Sequence, residues 1–331
     1  MPKNSSSSKP PNKETKPSVY RVADLAGVSP GTVSRVLNNR GRVHEKTRAR
    51  VLEVARSIGF KPQAQIRTHQ IAVVADEQWH SLHNGTYSQA LAFRISLALS
   101  QRGMAMVTPQ NPLKGFENTF LDGVIVLGEY PAFEPIADGL SAHTPVVYID
   151  DFSDKAGRNT VRSDCEMSGR LSAECFLKSG RKRIAFVGSD SKSTLTRLKG
   201  FREAIEAAGH KIDQDLVVLG VHQLSFYAAI NRVIRLGADS LYVPGSSYEV
   251  LEALSVINNV LQLSVPKDIA IIGGEVQGVS EFLTPPMTTI EEPLQPLAEE
   301  AVSLLSDLLD KKQKKCDQRT LPVRLVRRES T

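Results

Sequence analysis

Thr32, Ser34 and Arg35, followed by Asn38 and Asn39, gather short polar groups and one guanidinium in a single stretch of chain. Groups of this kind hydrogen-bond phosphate oxygens, and an Arg also matches the paired acceptors on a guanine edge, so the chemistry on offer is nucleic-acid recognition. Other chemistry finds less support. GSDSKST (188–194) lacks the G-x-x-x-x-G-K-[ST] spacing that aims backbone N–H groups at a phosphate, and reads as an ordinary strand-to-helix loop. His80 and His83 sit three apart without a carboxylate or third histidine at ligand spacing. No Ser, His and acid arrangement stands out. Neither an enzyme nor a bound cofactor or metal is expected. Cys165, Cys175 and Cys316, at unrelated spacings, offer no disulfide framework and read as reduced, mostly packing residues.

To present that polar set on one face, VYRVADLAGVSPGTVSRVLN (19–38) must fold as two short helices with a turn at Gly27. Ser18 and Ser29 stand where N-caps belong, and Pro30 suits a first helical position, where its missing N–H would be unpaired anyway. Ala23 at the helix crossing, Gly27 in the turn and Val33 as apolar anchor have helix-turn-helix spacing. A third helix is expected over 45–59, with Val51, Leu52, Val54, Ala55 and Ile58 facing the other two. Charge agrees: residues 1–70 hold 14 Lys or Arg against 4 Asp or Glu, whereas residues 71–331 hold 27 against 32. A small basic unit joined to a larger, mildly acidic one is the pattern of a nucleic-acid-binding module attached to something with another task.

At 331 residues, 41% hydrophobic and 23% charged, the chain calls for two or three globular units and excludes collagen, coiled coil and wholesale disorder. Apolar runs such as IAVVA (71–75) are far too short for a membrane span, and the first 17 residues, a basic tail rich in Ser, Pro and Lys, lack a signal peptide's apolar segment. A cytoplasmic location is expected. From residue 71 strand-like runs alternate with amphipathic helices: IAVVAD, QALAFRISLALSQRG, MAMVTP, DGVIVLGE and PVVYIDD, then a second set from NTVRSD through RIAFVGS, LYVPG and DIAIIGG. Alternating buried runs and helices imply parallel sheets covered on both faces, here in two half-domains with a cleft between them. The run KKQKK (311–315) reads as a solvated helix end, favoured by the C-terminal dipole.

VADLAGVSPGTVSRVLN, the segment from Val43 to Arg50, and GFKPQA (59–64) resemble the headpiece of the LacI/GalR family of bacterial transcription regulators nearly residue for residue. GRKRIAFVG, RLKGFREA, VPKDIAIIGG, LTPPMTTIEEP and LPVRLVRRES extend the resemblance to about residue 330. It implies an all-α helix-turn-helix headpiece (18–61) and a hinge (62–70). An α/β two-lobed, periplasmic-binding-protein-like domain (71–331) follows, lobe 1 taking about 71–151 and 277–310, lobe 2 about 152–276 and 317–331, joined by three crossovers. It also implies a homodimer on double-stranded operator DNA, repressing under control of a small-molecule effector such as a sugar held between the lobes. The absence of a leucine heptad after the closing strand points to a dimer over a tetramer.

The resemblance places the recognition helix in the major groove, with sequence read by the two residues after Ser29 and by Arg35. Those two are Pro30 and Gly31, which bring no side-chain hydrogen bonds, so Arg35 is expected to carry most direct readout beside Thr32, Ser34 and Asn38. The hinge PQAQIRTHQ is short, with His69 nearest the family's minor-groove leucine, so that wedge is expected to be missing while Arg67 reaches a phosphate or a narrow groove. In the cleft, Arg197 stands where the family has its ligand-gripping Arg, although such a residue equally suits a local carboxylate. Glu275 replaces the family's usual Asp, and Gly245 and Ser246 replace its Asn-Asp pair. Trp79 either stacks on a sugar or caps the lobe, with Asp76 or Tyr87 beside it. The altered cleft and short hinge keep open a second reading, a ligand-independent regulator with a degenerate cleft. A transported-solute-binding protein would share the two-lobed fold but needs export and no headpiece.

Overall fold

The computed structural model describes residues 17–37, 43–60, 70–76, 85–109, 111–113, 121–141, 144–153, 155–221, 226–245, 249–311 and 316–331. Of the expected hinge at 62–70, residues 62–69, His69 among them, lie outside these, as do His80 and His83, whereas Gln70 opens the first strand. Two compact units divide the chain: one holds the helical residues before 61 together with the segment Gln110–Asp122, the other Ile71–Pro109 and Gly123–Thr331.

In the first unit α1 (Val19–Ala26) starts where the Ser18 side chain accepts the Arg21 N–H at 3.2 Å, filling an otherwise orphaned donor. Gly27 ends it at φ 63°, a conformation that costs an L side chain energy, and the chain turns at once into α2 (Pro30–Leu37). Val22, Ala23 and Ala26 meet Val33, Val36 and Leu37, and α3 (Glu45–Ser57) closes the core with Val51, Leu52 and Ala55. The third helix stops two residues before its expected end: Gly59 turns left-handed at φ 61° and Phe60 folds back onto the core, its N–H reaching Ala55 O at 2.8 Å. Val54 and Ile58 pack at the core's margin, only partly buried.

The second unit holds two six-stranded sheets. The first orders its strands β11 (Gln318–Leu321), β5 (Asn159–Ser163), β4 (Val146–Ile149), β3 (Gly123–Leu127), β1 (Gln70–Ala75) and β2 (Ala105–Val107). The second runs β12 (Arg324–Val326), β10 (Thr288–Glu291), β9 (Ala270–Gly274), β8 (Ser240–Val243), β6 (Ile184–Val187) and β7 (Val217–Val218). Pairing is parallel from β1 through β3, β4 and β5 to β11, and in the second sheet throughout except β10 with β12. Both faces of the second sheet are covered. Ala185, Val187, Leu241, Val243 and Ile271 pack with α8 (Phe226–Arg235) and α9 (Glu249–Ser255), while Ile184, Phe186, Tyr242, Ala270 and Ile272 pack with α6 (Cys165–Lys178) and α7 (Lys192–Ala207). That two-sided burial is why these strands read as unbroken apolar runs. On one face of the first sheet, α4 (Gly85–Gln101) and α10 (Leu294–Leu309) bury Leu91, Ile95, Leu297, Ala301 and Leu305 against Ile71, Val73, Ile125 and Val147, and α5 (Glu134–Ser141) lies between β3 and β4 in the chain.

The chain crosses between sheets three times, as the family resemblance implied, but not at the expected residues. NTVRSD, expected to open the second lobe, belongs to the first sheet, because Thr160, Val161 and Ser163 bury themselves in register beside β4. The switch comes at Asp164, whose side chain caps α6 through the Met167 N–H at 2.8 Å. The return, expected near 277, comes only after β10, at Glu292 and Pro293. The closing segment is itself divided, β11 in the first sheet and β12 in the second. Asp164 N–H to Leu321 O, 2.8 Å, ties the first crossover to the third.

Helices α6 and α7 touch backbone to backbone. A Cβ on Gly169 would lie 1.8 Å from Arg197 O, and one on Gly200 would lie 2.0 Å from Glu166 O. Backbone cannot yield as a side-chain tip can, so Gly200→Ala is expected to cost about 3 kcal/mol or more, the upper part of the overpacking range. Denaturant unfolding of Gly200→Ala beside the exposed Gly139→Ala, where φ is unexceptional and an added Cβ would meet nothing within 4 Å, checks this; equal losses would mean that the close approach is not what matters.

Candidate functional site

Two polar constellations stand out, one in each unit. In the headpiece, Ser29 Oγ accepts the Thr32 N–H at 3.1 Å and meets Thr32 Oγ1 at 2.9 Å, so the start of α2 is capped and fixed. Ser29, Pro30, Gly31 and Arg35 are exposed and Thr32 and Ser34 half-buried, while Val33, Val36 and Leu37 point inward. The expected face is therefore assembled as the helical period requires. Arg35 lies along its own helix, Nε 3.3 Å from Gly31 O and Nη2 3.4 Å from Thr32 Oγ1. Both contacts are long and exchange readily for acceptors on a base edge. Asn38 and Arg67 lie outside the described residues.

Gly31 has open space around it: a Cβ there would meet only Ser29 Oγ, at 3.8 Å, and its φ is unexceptional. Gly31→Ala is thus expected to stabilise the headpiece by about 1 kcal/mol through helix propensity alone, measurable as a rise in its unfolding midpoint; a fall would reveal a strain that the backbone does not show. One feature of the first helix escaped sequence reasoning. Tyr20 is 76% exposed on α1, beside Arg21. The first helix of such a motif crosses the DNA backbone, and an amphipathic plot of so short a helix would have placed Tyr20 outside.

The second constellation lies where the two sheets are joined. Tyr87 on α4 donates its hydroxyl to Asp150 Oδ2, and Asp150 Oδ1 accepts the Ser163 N–H at 2.9 Å. Ser163 Oγ donates to Glu292 Oε2 at 3.4 Å, and Glu292 Oε1 lies 2.5 Å from Arg197 Nη2 on α7. A hydrogen-bonded series thus runs from a helix of the first lobe, through two crossovers, to a helix of the second. Asp150 is held at φ 55°, and the loop behind it is pinned by buried Asp151, which pairs with Arg158 at 2.5 Å and accepts the Ser153 N–H. At the rim, Lys192 at the start of α7 lies 3.6 Å from Glu129 after β3.

Burial, and after it the Glu292 charge, push the Asp150 carboxyl up to about 6, against the Tyr87 hydrogen bond, the Ser163 N–H and the Arg197 charge. Burial raises the Tyr87 hydroxyl well above its ordinary value, and the Asp150 charge adds to the effect. For Arg197, burial works against the charged form, but Cys165 and Glu292 outweigh it and the guanidinium titrates above its ordinary value. Burial likewise drives the Cys165 thiol upward.

Of the expected cleft residues, Tyr87 and Arg197 meet in this cluster. Arg197 does hold a local carboxylate, Glu292, the simpler of its two readings. Asp76 follows β1 at the same C-terminal sheet edge as Asp150, since β1, β3 and β4 pair in parallel register. Glu275 accepts from Thr289 Oγ1 and from Arg328 Nη1 and Nη2, the latter two at 2.9 and 3.3 Å, which ties it to the closing segment. Trp79 and Ser246 lie outside the described residues. Asp150, Ser163 and Glu292 were not singled out from sequence, and each sits in a stretch whose polar neighbours look equivalent.

Residues 18–63 match the model of bacterial regulatory proteins of the lacI family, and residues 173–331 match a periplasmic binding protein-like domain. The HTH-type transcriptional regulator CelR of Thermobifida fusca is 29% identical over 340 residues, covering 94% of this chain and 95% of CelR. The HTH-type transcriptional regulator DegA of Bacillus subtilis is 28% identical over 337 residues, covering 96% and 98%. Among solved structures, a complex of the transcriptional regulator CelR with cellobiose has a TM-score of 0.69 at 28% identity, covering 95% of this chain and all of that one.

Proposed function

From the lacI-family match over residues 18–63 and the periplasmic binding protein-like match over 173–331, we propose that the chain is a lacI-family regulator, a cytoplasmic, non-enzymatic repressor that reads a pseudo-palindromic operator as a homodimer and responds to a small hydroxyl-rich effector bound between its lobes. The observation that carries the DNA-binding part is the capped α2, which turns Pro30, Gly31 and Arg35 outward from a packed core. Two-fold symmetry in the protein implies two-fold symmetry in the site. Selection of genomic fragments by the purified protein at near-physiological salt tests this; recovery of no palindromic motif above a salt-sensitive background would sink operator recognition.

Support for the effector comes from the placement of Tyr87, Asp150 and Arg197 at the junction of the lobes and from the sugar held by CelR. The rival, a ligand-independent regulator, draws on the fact that Arg197 and Glu275 both have protein partners. A thermal shift with neutral mono- and disaccharides separates the two, since tight binding raises apparent stability by mass action.

Two exposed apolar groups supply surfaces for a second copy. Phe93 is 62% and Leu97 43% exposed, one turn apart on α4, and in the second lobe Phe282 is 76% exposed with Val260 and Val279 also outside. Phe93→Glu and Phe282→Glu together are expected to leave a folded monomer by sedimentation, with operator affinity lowered at least tenfold because each headpiece then binds a half-site alone. A dimer that survives both changes has its interface elsewhere.

A further inference from the structure

Arg197 already has an anion. Its Nη2 lies 2.5 Å from Glu292 Oε1 with both side chains 8% exposed, and Glu292 Oε2 is held by Ser163 Oγ. Asp150 stands on the other side of Ser163, accepting its N–H. Two carboxylates therefore flank Ser163 in a buried place, and the one guanidinium near them, Arg197, is paired with Glu292. The other groups facing them are Tyr87 from α4, Cys165 from α6 with its cap Asp164, and Tyr242 from β8, none of them cationic. Burial first, and the Glu292 charge after it, displace the Asp150 carboxyl upward.

We propose that Glu292 sets the charge selectivity of the interlobe site: as the resident anion of Arg197 it turns away ligands bearing a carboxylate or phosphate and reserves the site for uncharged, hydroxyl-rich ones. The proposal rests on the reading of this junction as the effector site. An anionic ligand that takes the guanidinium must expel the Glu292 carboxylate, leaving it buried beside Asp150 with no counter-charge, and an uncompensated buried charge is far costlier than an intact pair. An uncharged polyol meets no such barrier. The guanidinium has five N–H donors and the Glu292 contact runs through Nη2, so ligand hydroxyls accept from other donors while donating hydrogen bonds to Asp150 and Glu292 oxygens. The net charge of the site is unchanged by their arrival. Glu292 is also well placed to report occupancy, because it is itself the crossover from β10 to α10.

The test uses the full chain as wild type, as Glu292→Gln, which keeps the side chain's shape, and as the double variant Arg197→Ala/Glu292→Gln. Thermal unfolding and equilibrium dialysis are run at constant ionic strength with inorganic phosphate and glucuronate as anionic probes, and with glucose and cellobiose as neutral ones. Glu292→Gln is expected to bind an anionic probe at least tenfold more tightly than wild type, and the double variant to lose that gain. Absence of any gain overturns the proposal, as does wild-type anion binding that disappears in Arg197→Ala, a comparison that stands even if Glu292→Gln does not fold. If the gain appears while neither sugar binds, charge selectivity stands and the effector reading falls. If wild type takes sugars and anions alike, the effector reading stands and the proposal falls.

Discussion

Arg35→Ala is expected to lower affinity for the selected operator by roughly 30-fold to 10⁴-fold while leaving the headpiece folded. A bidentate Arg–guanine pair is worth about 1–3 kcal/mol of discrimination, and a dimer loses one in each half-site. Pro30 and Gly31 have no side-chain hydrogen bonds with which to make up the deficit. Among the described residues Arg35 is exposed and makes two long contacts, both within its own helix, so its loss should leave the fold intact. Affinity for unrelated DNA should change far less, because that component comes from the many phosphate contacts of a basic unit, and it should remain steeply salt-dependent. Fluorescence anisotropy on operator and scrambled duplexes at two salt concentrations gives all four quantities. Arg35→Lys keeps the charge without the fork, so it should retain non-specific binding and lose most discrimination. Full discrimination in the Lys variant would show that shape and backbone contacts, not Arg35, read the sequence.

The parts of this molecule that could be read from sequence are those that local chemistry decides. Ser18, Gly27, Ser29 and Pro30 each act within a few residues of themselves, and the helix ends fall where they say. Strands buried on both faces announce themselves as apolar runs for the same reason. Which sheet a strand joins is a non-local matter. Asn159–Ser163 looked like the start of a second set of strands and helices, yet its pairing with β4 keeps it in the first sheet. The interlobe cluster was hidden differently, in two acidic doublets whose members have opposite fates. Asp150 turns to Tyr87 and Ser163 whereas Asp151 turns to Arg158; Glu291 turns to Arg324 whereas Glu292 turns to Arg197. Alternation at a strand end separates neighbours, but only the tertiary structure says which of the two faces inward.

Arg197→Ala is expected to destabilise the α/β region by about 3–5 kcal/mol at pH 7.5, the range found when one partner of a buried ion pair is removed. The larger part should be electrostatic, since the change leaves Glu292 and Asp150 buried together without a counter-charge. The pH dependence distinguishes this from a mere cavity. In the wild type, Asp150 titrates at about 6, above its ordinary 3.8, so its protonation contributes stability that is complete below the ordinary value and lost as pH rises through about 6. Removing the Arg197 charge, one of the influences that hold that carboxyl down, moves the folded-state titration upward and extends the loss to higher pH. The gap between variant and wild type should therefore widen between pH 5 and pH 8 in denaturant unfolding. A cavity alone would give a gap independent of pH. Adding Glu292→Gln to Arg197→Ala removes one of the stranded charges, so the double variant should be more stable than Arg197→Ala alone at pH 7.5, a non-additivity that only a direct charge pairing produces. If the double variant is instead the less stable of the two, Glu292 holds the crossover through its hydrogen bond to Ser163 and not through Arg197.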